Sequence, residues 1–185
     1  GRPLMAADLY SGAQMPSLWY EMHLVGGRYD VVGASVPGLP GIVVGRNRTI
    51  AWAWGGSAVD NVDLYVERVR HALVVQARQP DRWADMRVSE EQLRVRGRAE
   101  PVRLYMAATR HGPLITPLWP GEHEQLALCW AGTGQPSAFG RSLLALNRAS
   151  DWEEFRAVLR GWTVPAQTFL YADVAGNTGY VVAGL

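Results

Sequence analysis

The sequence contains no lysine, and all 18 of its basic residues are arginine. A Schiff-base lysine, a lysine general base and a phosphate-binding Walker lysine are therefore excluded from these 185 residues. Cysteine occurs once, at Cys129. It has no partner for an internal disulfide, and its apolar run Leu126-Ala127-Leu128-Cys129-Trp130 reads as a buried thiol rather than a nucleophile. No apolar run reaches eighteen residues, so no membrane-spanning helix is expected. His23, His71, His111 and His123 are widely spaced, without the H-x-x-x-H or Cys pairing that a zinc site requires. No G-x-S-x-G elbow surrounds Ser11 or Ser57, which instead reads as bonding backbone in its turn. A formal net charge of +1 gives no footing for a nucleic-acid partner. Repeats, linkers and a secretory leader are not visible, so a single domain over 1–185 is expected.

What is present is strand-rich. Pro3 to Ala7, Leu18 to Val25, Tyr29 to Ser35, Ile42 to Val44, Ile50 to Trp54 and Val62 to Val69 are short runs bounded by Gly, Pro or polar turns. The arginine-rich stretch from His71 to Asp85 reads as an insertion or short helix. Gln92 to Val95 and Val102 to Thr109 read as a hairpin around Arg96-Gly97-Arg98, and Leu126 to Trp130 as another strand. Two helices are expected near the C-terminus. Ala138 to Asn147 carries Leu143, Leu144 and Leu146. The second opens on Ser150-Asp151-Trp152-Glu153, an S-x-x-E capping box, and places Trp152, Phe155, Val158, Leu159 and Trp162 on one side. Gln167 to Tyr171 and Gly179 to Ala183 are closing strands around Val174-Ala175-Gly176-Asn177. Strands, then helices, then strands indicate an α+β fold.

Three separated motifs sharpen this. Gly33, Pro37, Gly38, Pro40, Gly45, Asn47, Ile50, Ala51 and Trp52 follow the pattern G-x-x-x-P-G-x-P-x-x-x-x-G-x-N-x-x-I-A-W, and Asp60, Asp63, Leu64, Tyr65 and Glu67 continue it after a small-residue turn. Thr109-Arg110-His111-Gly112-Pro113 forms a T-x-H-G-P turn. Pro165-Ala166-Gln167-Thr168-Phe169-Leu170-Tyr171-Ala172-Asp173 leads into Gly176-Asn177-Thr178-Gly179-Tyr180. In this order the motifs resemble the N-terminal part of the β-chain of the penicillin acylase family, N-terminal-nucleophile hydrolases that cut linear amides. The resemblance implies a partial αββα sandwich.

It also implies a chemistry. In such enzymes the nucleophile is the hydroxyl of an N-terminal serine, and its own α-amino group, with a pKa near 8, accepts the proton. A backbone N–H and an asparagine amide hold the oxyanion. The resemblance places that serine about a dozen residues ahead of Gly1. It assigns the backbone donor to Gly56 and the asparagine position to Thr168, and it puts Tyr10 where the family often has His or Gln. Threonine offers one hydroxyl on a shorter side chain, without an amide N–H. The expectation is that this chain alone is inactive on amides.

By the same resemblance, Asp60, the Val62 carbonyl and Asp63 match a calcium-binding segment, with further ligands on a separate α-chain; no cofactor is otherwise required. The tryptophans read as core, with Trp54 as the candidate contact for the acyl group. Expected partners are a small-molecule N-acyl amide, the α-chain, the rest of the β-chain and, through exposed sheet surface, a second copy of the chain. Periplasmic or secreted localisation follows by family resemblance. The alternative is a non-catalytic binding or structural module built on the same fold.

Overall fold

A computed structural model describes residues 2–9, 11–71, 75–116, 124–134 and 138–184. They fall into two compact units, Gly1–Val59 with Gly134–Leu185, and Asp60–Thr133. Elements are numbered along the chain.

The first unit holds β1 (Tyr20–Gly26), β2 (Tyr29–Ser35), β3 (Val44–Arg46), β4 (Ile50–Gly56), α1 (Phe139–Leu146), α2 (Trp152–Leu159), β12 (Gln167–Asp173) and β13 (Thr178–Ala183). Its six strands form one antiparallel sheet in the order β1-β2-β3-β4-β12-β13. Side chains alternate between the two faces of a strand. On β4, Ile50, Trp52 and Trp54 share one face, and on β12 Phe169 and Tyr171 join them. These residues pack in one cluster with Leu146 of α1 and Phe155 and Leu159 of α2, so both helices lie on that side of the sheet. Trp52 is fully buried, and its indole Nε1 donates to the Val43 carbonyl at 3.0 Å. That contact satisfies the ring's one polar atom, as a buried indole requires.

The helices start where local chemistry allows. Asp151 caps α2 by accepting the Glu154 N–H at 2.9 Å. Glu154 reaches back to the Ser150 N–H and hydroxyl, each at 2.8 Å. The N-cap is therefore Asp151, one residue beyond the expected Ser150, and Glu154 bonds to the residue ahead of that cap. The helix also ends at Leu159, and Trp162 enters the core from the segment that follows. Asn147 closes α1 and reaches across to the Pro37–Gly41 loop: its Oδ1 accepts from Ile42 N–H and its Nδ2 donates to Ile42 C=O, both at 2.7 Å.

That clamp explains one departure from expectation. Ile42 and Val43 are core residues but not strand, because an amide side chain takes Ile42's backbone groups; β3 begins only at Val44. The segment Pro3 to Ala7 pairs with no strand and is irregular. Its alternation has no partner edge among the described residues.

The second unit holds β5 (Val62–Glu67), β6 (Val69–His71), β7 (Val75–Arg78), β8 (Trp83–Asp85), β9 (Arg87–Leu93), β10 (Val102–Ala108) and β11 (Gln125–Trp130). β5 pairs with β11, β9 with β10, and β6-β7-β8 make a small sheet, all antiparallel. The stretch read as an insertion or helix is therefore strand where described. Arg70, Gln76 and Asp85 stand in one cross-strand row and are joined by hydrogen bonds, and the Arg70 guanidinium lies 4.4 Å from the Trp83 ring centroid. Such cross-strand pairs are the unit of sheet stability. On the β5–β11 pair, Val62, Leu64 and Val66 share a face with Leu126, Leu128 and Trp130, and four of these six are 41–61% exposed.

Candidate active site

The register of β4 against β12 brings the two assigned oxyanion residues to one place. Gln167 lies opposite Gly56, and Thr168 opposite Gly55. Directly opposed residues in an antiparallel pair have Cα atoms about 4.5–5.5 Å apart. Thr168 alternates with Phe169, so its side chain leaves the helix-packed face and stands on the other, with Leu170's neighbour Ala53 and with Ala51 further along. Among the described residues, no hydrogen bond engages the Thr168 hydroxyl. Gly55 and Gly56 are exposed, and a Cβ built on either meets nothing within 4 Å. The next residue, Ser57, has a buried Oγ without a hydrogen-bond partner, where a backbone bond in the turn was expected. An orphaned buried hydroxyl costs about 1–3 kcal/mol and calls for an explanation.

Trp54 stands on the opposite side of the strand from Thr168. Its ring meets Trp162 at 5.3 Å, Phe169 at 5.6 Å and Phe139 at 6.2 Å, in tilted and edge-on arrangements that aromatic quadrupoles favour. The structure thus gives Trp54 to the layer between sheet and helices. Tyr10 lies outside the described residues, as does His123.

Asp60, Val62 and Asp63 belong to the second unit, at the start of β5. Asp60 and Asp63 are exposed, and no group of three or more His, Cys, Asp or Glu residues suited to a metal occurs among the described residues. Two carboxylates and one carbonyl fall short of the six to eight oxygens that calcium takes. These residues do not by themselves make the ion's site.

Several other polar groups have structural partners. Asn47 spans the β3–β4 turn: Oδ1 accepts from the N–H groups of Thr49 and Ile50, and Nδ2 donates to the Ala149 carbonyl at 2.7 Å. Asp173 accepts from Asn177 N–H and Nδ2 and from the Tyr171 hydroxyl, at 2.8–2.9 Å. The Asn177 bonds hold its carboxyl below the usual range, and burial followed by the Asp173 contact pushes the Tyr171 phenol far up. In the second unit, Glu67 Oε1 accepts from the Thr109 hydroxyl at 2.6 Å and sits 2.7 Å from His111 Nδ1, with the Tyr65 ring stacked on the imidazole. His111 shapes its turn through this buried acid, a contact that the sequence alone did not suggest. A cavity of about 420 Å³, bordered by Arg46, Thr49, Ile50, Ala172 and Asp173, lies at the far end of β4 and β12 from Gly56.

The pattern of the penicillin amidase family matches residues 1–185. The chain belongs to that family. An acyl-homoserine lactone acylase, QuiP, of Pseudomonas fluorescens is 29% identical over the whole chain, which spans 22% of that protein. A second QuiP acyl-homoserine lactone acylase, from Pseudomonas aeruginosa, is 36% identical over 62% of the chain and 14% of its own length. The thermostable penicillin G acylase from Alcaligenes faecalis superposes with a TM-score of 0.77 at 28% identity, over 92% of this chain and 30% of that one. The architecture, strands with two late helices, is a partial N-terminal-nucleophile hydrolase fold. The chain spans about a fifth of the length of the curated relatives it matches over most of its residues.

Proposed function

We propose that the whole protein carrying this chain hydrolyses the linear amide bond of N-acylated small molecules, and that these residues supply its oxyanion support. The observation that carries the reading is the register that sets Thr168 beside the Gly55-Gly56 backbone. The Gly56 N–H and the Thr168 hydroxyl act as the two donors to the oxygen that gains charge as the tetrahedral intermediate forms. The attacking hydroxyl and the amine that takes its proton come from outside residues 1–185, so a polypeptide of these residues alone does not turn over amide. Trp54, half-buried among Trp162, Phe169 and Phe139, holds β4 from behind. Calcium at Asp60, the Val62 carbonyl and Asp63 requires oxygens from the rest of the protein, such as a separate α-chain. Export to the periplasm or the outside belongs to the same reading.

The test is hydrolysis of a chromogenic acyl anilide by the full-length protein. Removing one oxyanion donor costs about a hundred- to a thousand-fold in kcat. Thr168→Ala is expected to fall in that range, and Thr168→Asn to restore or exceed the parent rate. Unchanged turnover in Thr168→Ala refutes the assignment. The threonine itself favours a second reading, a binding module without turnover. In that case ligand quenches tryptophan fluorescence and no product forms.

A further inference from the structure

Two glycines at the end of β4, Gly55 and Gly56, have no close neighbour among the described residues. Glycine in a strand weakens it, and it persists where the backbone needs positive φ or where something approaches closely. Gly33 and Gly45 show the second cause: a Cβ there would sit 2.1 Å from the Val44 carbonyl oxygen and 2.2 Å from that of Val32. Gly55 shows neither. Its φ is not positive, and the space where its side chain would stand is empty to 4 Å. It is also exposed, and Thr168 lies directly opposite. None of the described residues occupies that space. Ser57, two positions on, carries a buried hydroxyl with no partner, so polar capacity is also unused at this end of the strand.

We infer that Gly55 is a specificity-determining residue, whose missing side chain leaves room for the acyl group of the substrate beside the scissile carbonyl. The inference rests on the oxyanion reading of Gly56 and Thr168. A group bonded to a carbonyl held by those two donors lies over the strand between them, where any Cβ at position 55 would project. The bare position suits an acyl group that is bulky or extended next to its carbonyl.

The test uses the full-length protein with Gly55→Ala, Gly55→Val and Gly55→Leu, and with N-acyl substrates of increasing acyl bulk assayed in pairs in one preparation. The ratio of kcat/KM for the bulkier to the smaller acyl substrate does not depend on how much of a variant is folded. One methylene in an apolar pocket changes discrimination by about 10- to 200-fold. The ratio is expected to fall by at least about tenfold in Gly55→Val and further in Gly55→Leu. A ratio that stays within threefold of the parent across the series overturns the inference while leaving the oxyanion reading intact. A parent protein that hydrolyses none of the substrates overturns both.

Discussion

Asn147→Ala offers a direct measure of what fixes β3 and β4 in place. Asn147 is 1% exposed and Ile42 is fully buried, and the side-chain amide satisfies both backbone groups of Ile42. Truncation leaves a buried N–H and a buried C=O unpaired, each at about 1–3 kcal/mol, for a total of about 4 kcal/mol. A urea m-value of about 2 kcal/mol/M turns this into a midpoint shift of about 2 M. Equilibrium urea unfolding of the 185-residue chain, followed by tryptophan fluorescence, reads the effect, because the Trp52 indole bonds to the adjacent Val43 carbonyl. Gly41→Ala should act through the same clamp. Gly41 has φ +83°, and an added Cβ would stand 2.6 Å from Asn147 Oδ1. The exposed neighbour Arg148→Ala serves as control and should stay within about 0.5 kcal/mol. If Asn147→Ala also stays within that margin, the loop is held by something other than the amide and the reasoning fails.

Further outcomes follow from the same contacts. Asp151→Ala removes the cap of α2 and should cost about 1 kcal/mol in thermal or urea unfolding, against no change if Ser150 is the true cap. Thr109→Val removes a hydrogen bond to the buried Glu67 carboxylate and should cost about 2 kcal/mol, read by hydrogen exchange in the Thr109–Pro113 turn; unaltered protection there refutes the clamp. The Asn177 bonds depress the Asp173 pKa below 3.8, so its stabilisation is present above that pH and is lost as pH falls through the lower folded value. Melting between pH 5 and 2 should show a shallower acid limb in Asp173→Asn, and an identical limb would contradict the assignment. The exposed apolar row of Val62, Leu64, Val66 and Trp130 should drive self-association of the isolated chain, and light scattering that finds only monomer would count against it.

How much of this was legible in the sequence depends on where each element's partners lie. β2, β4, β12 and β13 announce themselves because their alternation is bounded by turn residues that the structure uses as turns. Ile42 and Val43 look like strand from composition, yet Ile42's backbone bonds go to Asn147, 105 residues away in the chain, a partner that no local pattern encodes. Asp151 displaced Ser150 as cap because either residue type fits, and only the extended backbone at Asp151 decides. The β6–β8 sheet hid behind arginines, of which Arg70 and Arg78 set their guanidiniums over the Trp83 ring. For the candidate site, resemblance supplied Gly56 and Thr168, and the pairing of β4 with β12 supplied their proximity. Gly55 could not be singled out from sequence, since what marks it is empty space, and Ser57 was read there as bonded in its turn, where the structure leaves its hydroxyl unpaired.

The two sides of β4 have unlike tolerance for change. One carries the Trp54 indole wedged among Phe139, Trp162 and Phe169, where a lost carbon opens a void. The other carries Ala51, Ala53 and Gly55, and of these Gly55 is exposed, with nothing within 4 Å of an added Cβ, while Ala53 is buried. Substitutions at position 55 therefore sample new surface while the aromatic layer keeps the scaffold standing, so preference and foldedness can drift independently there.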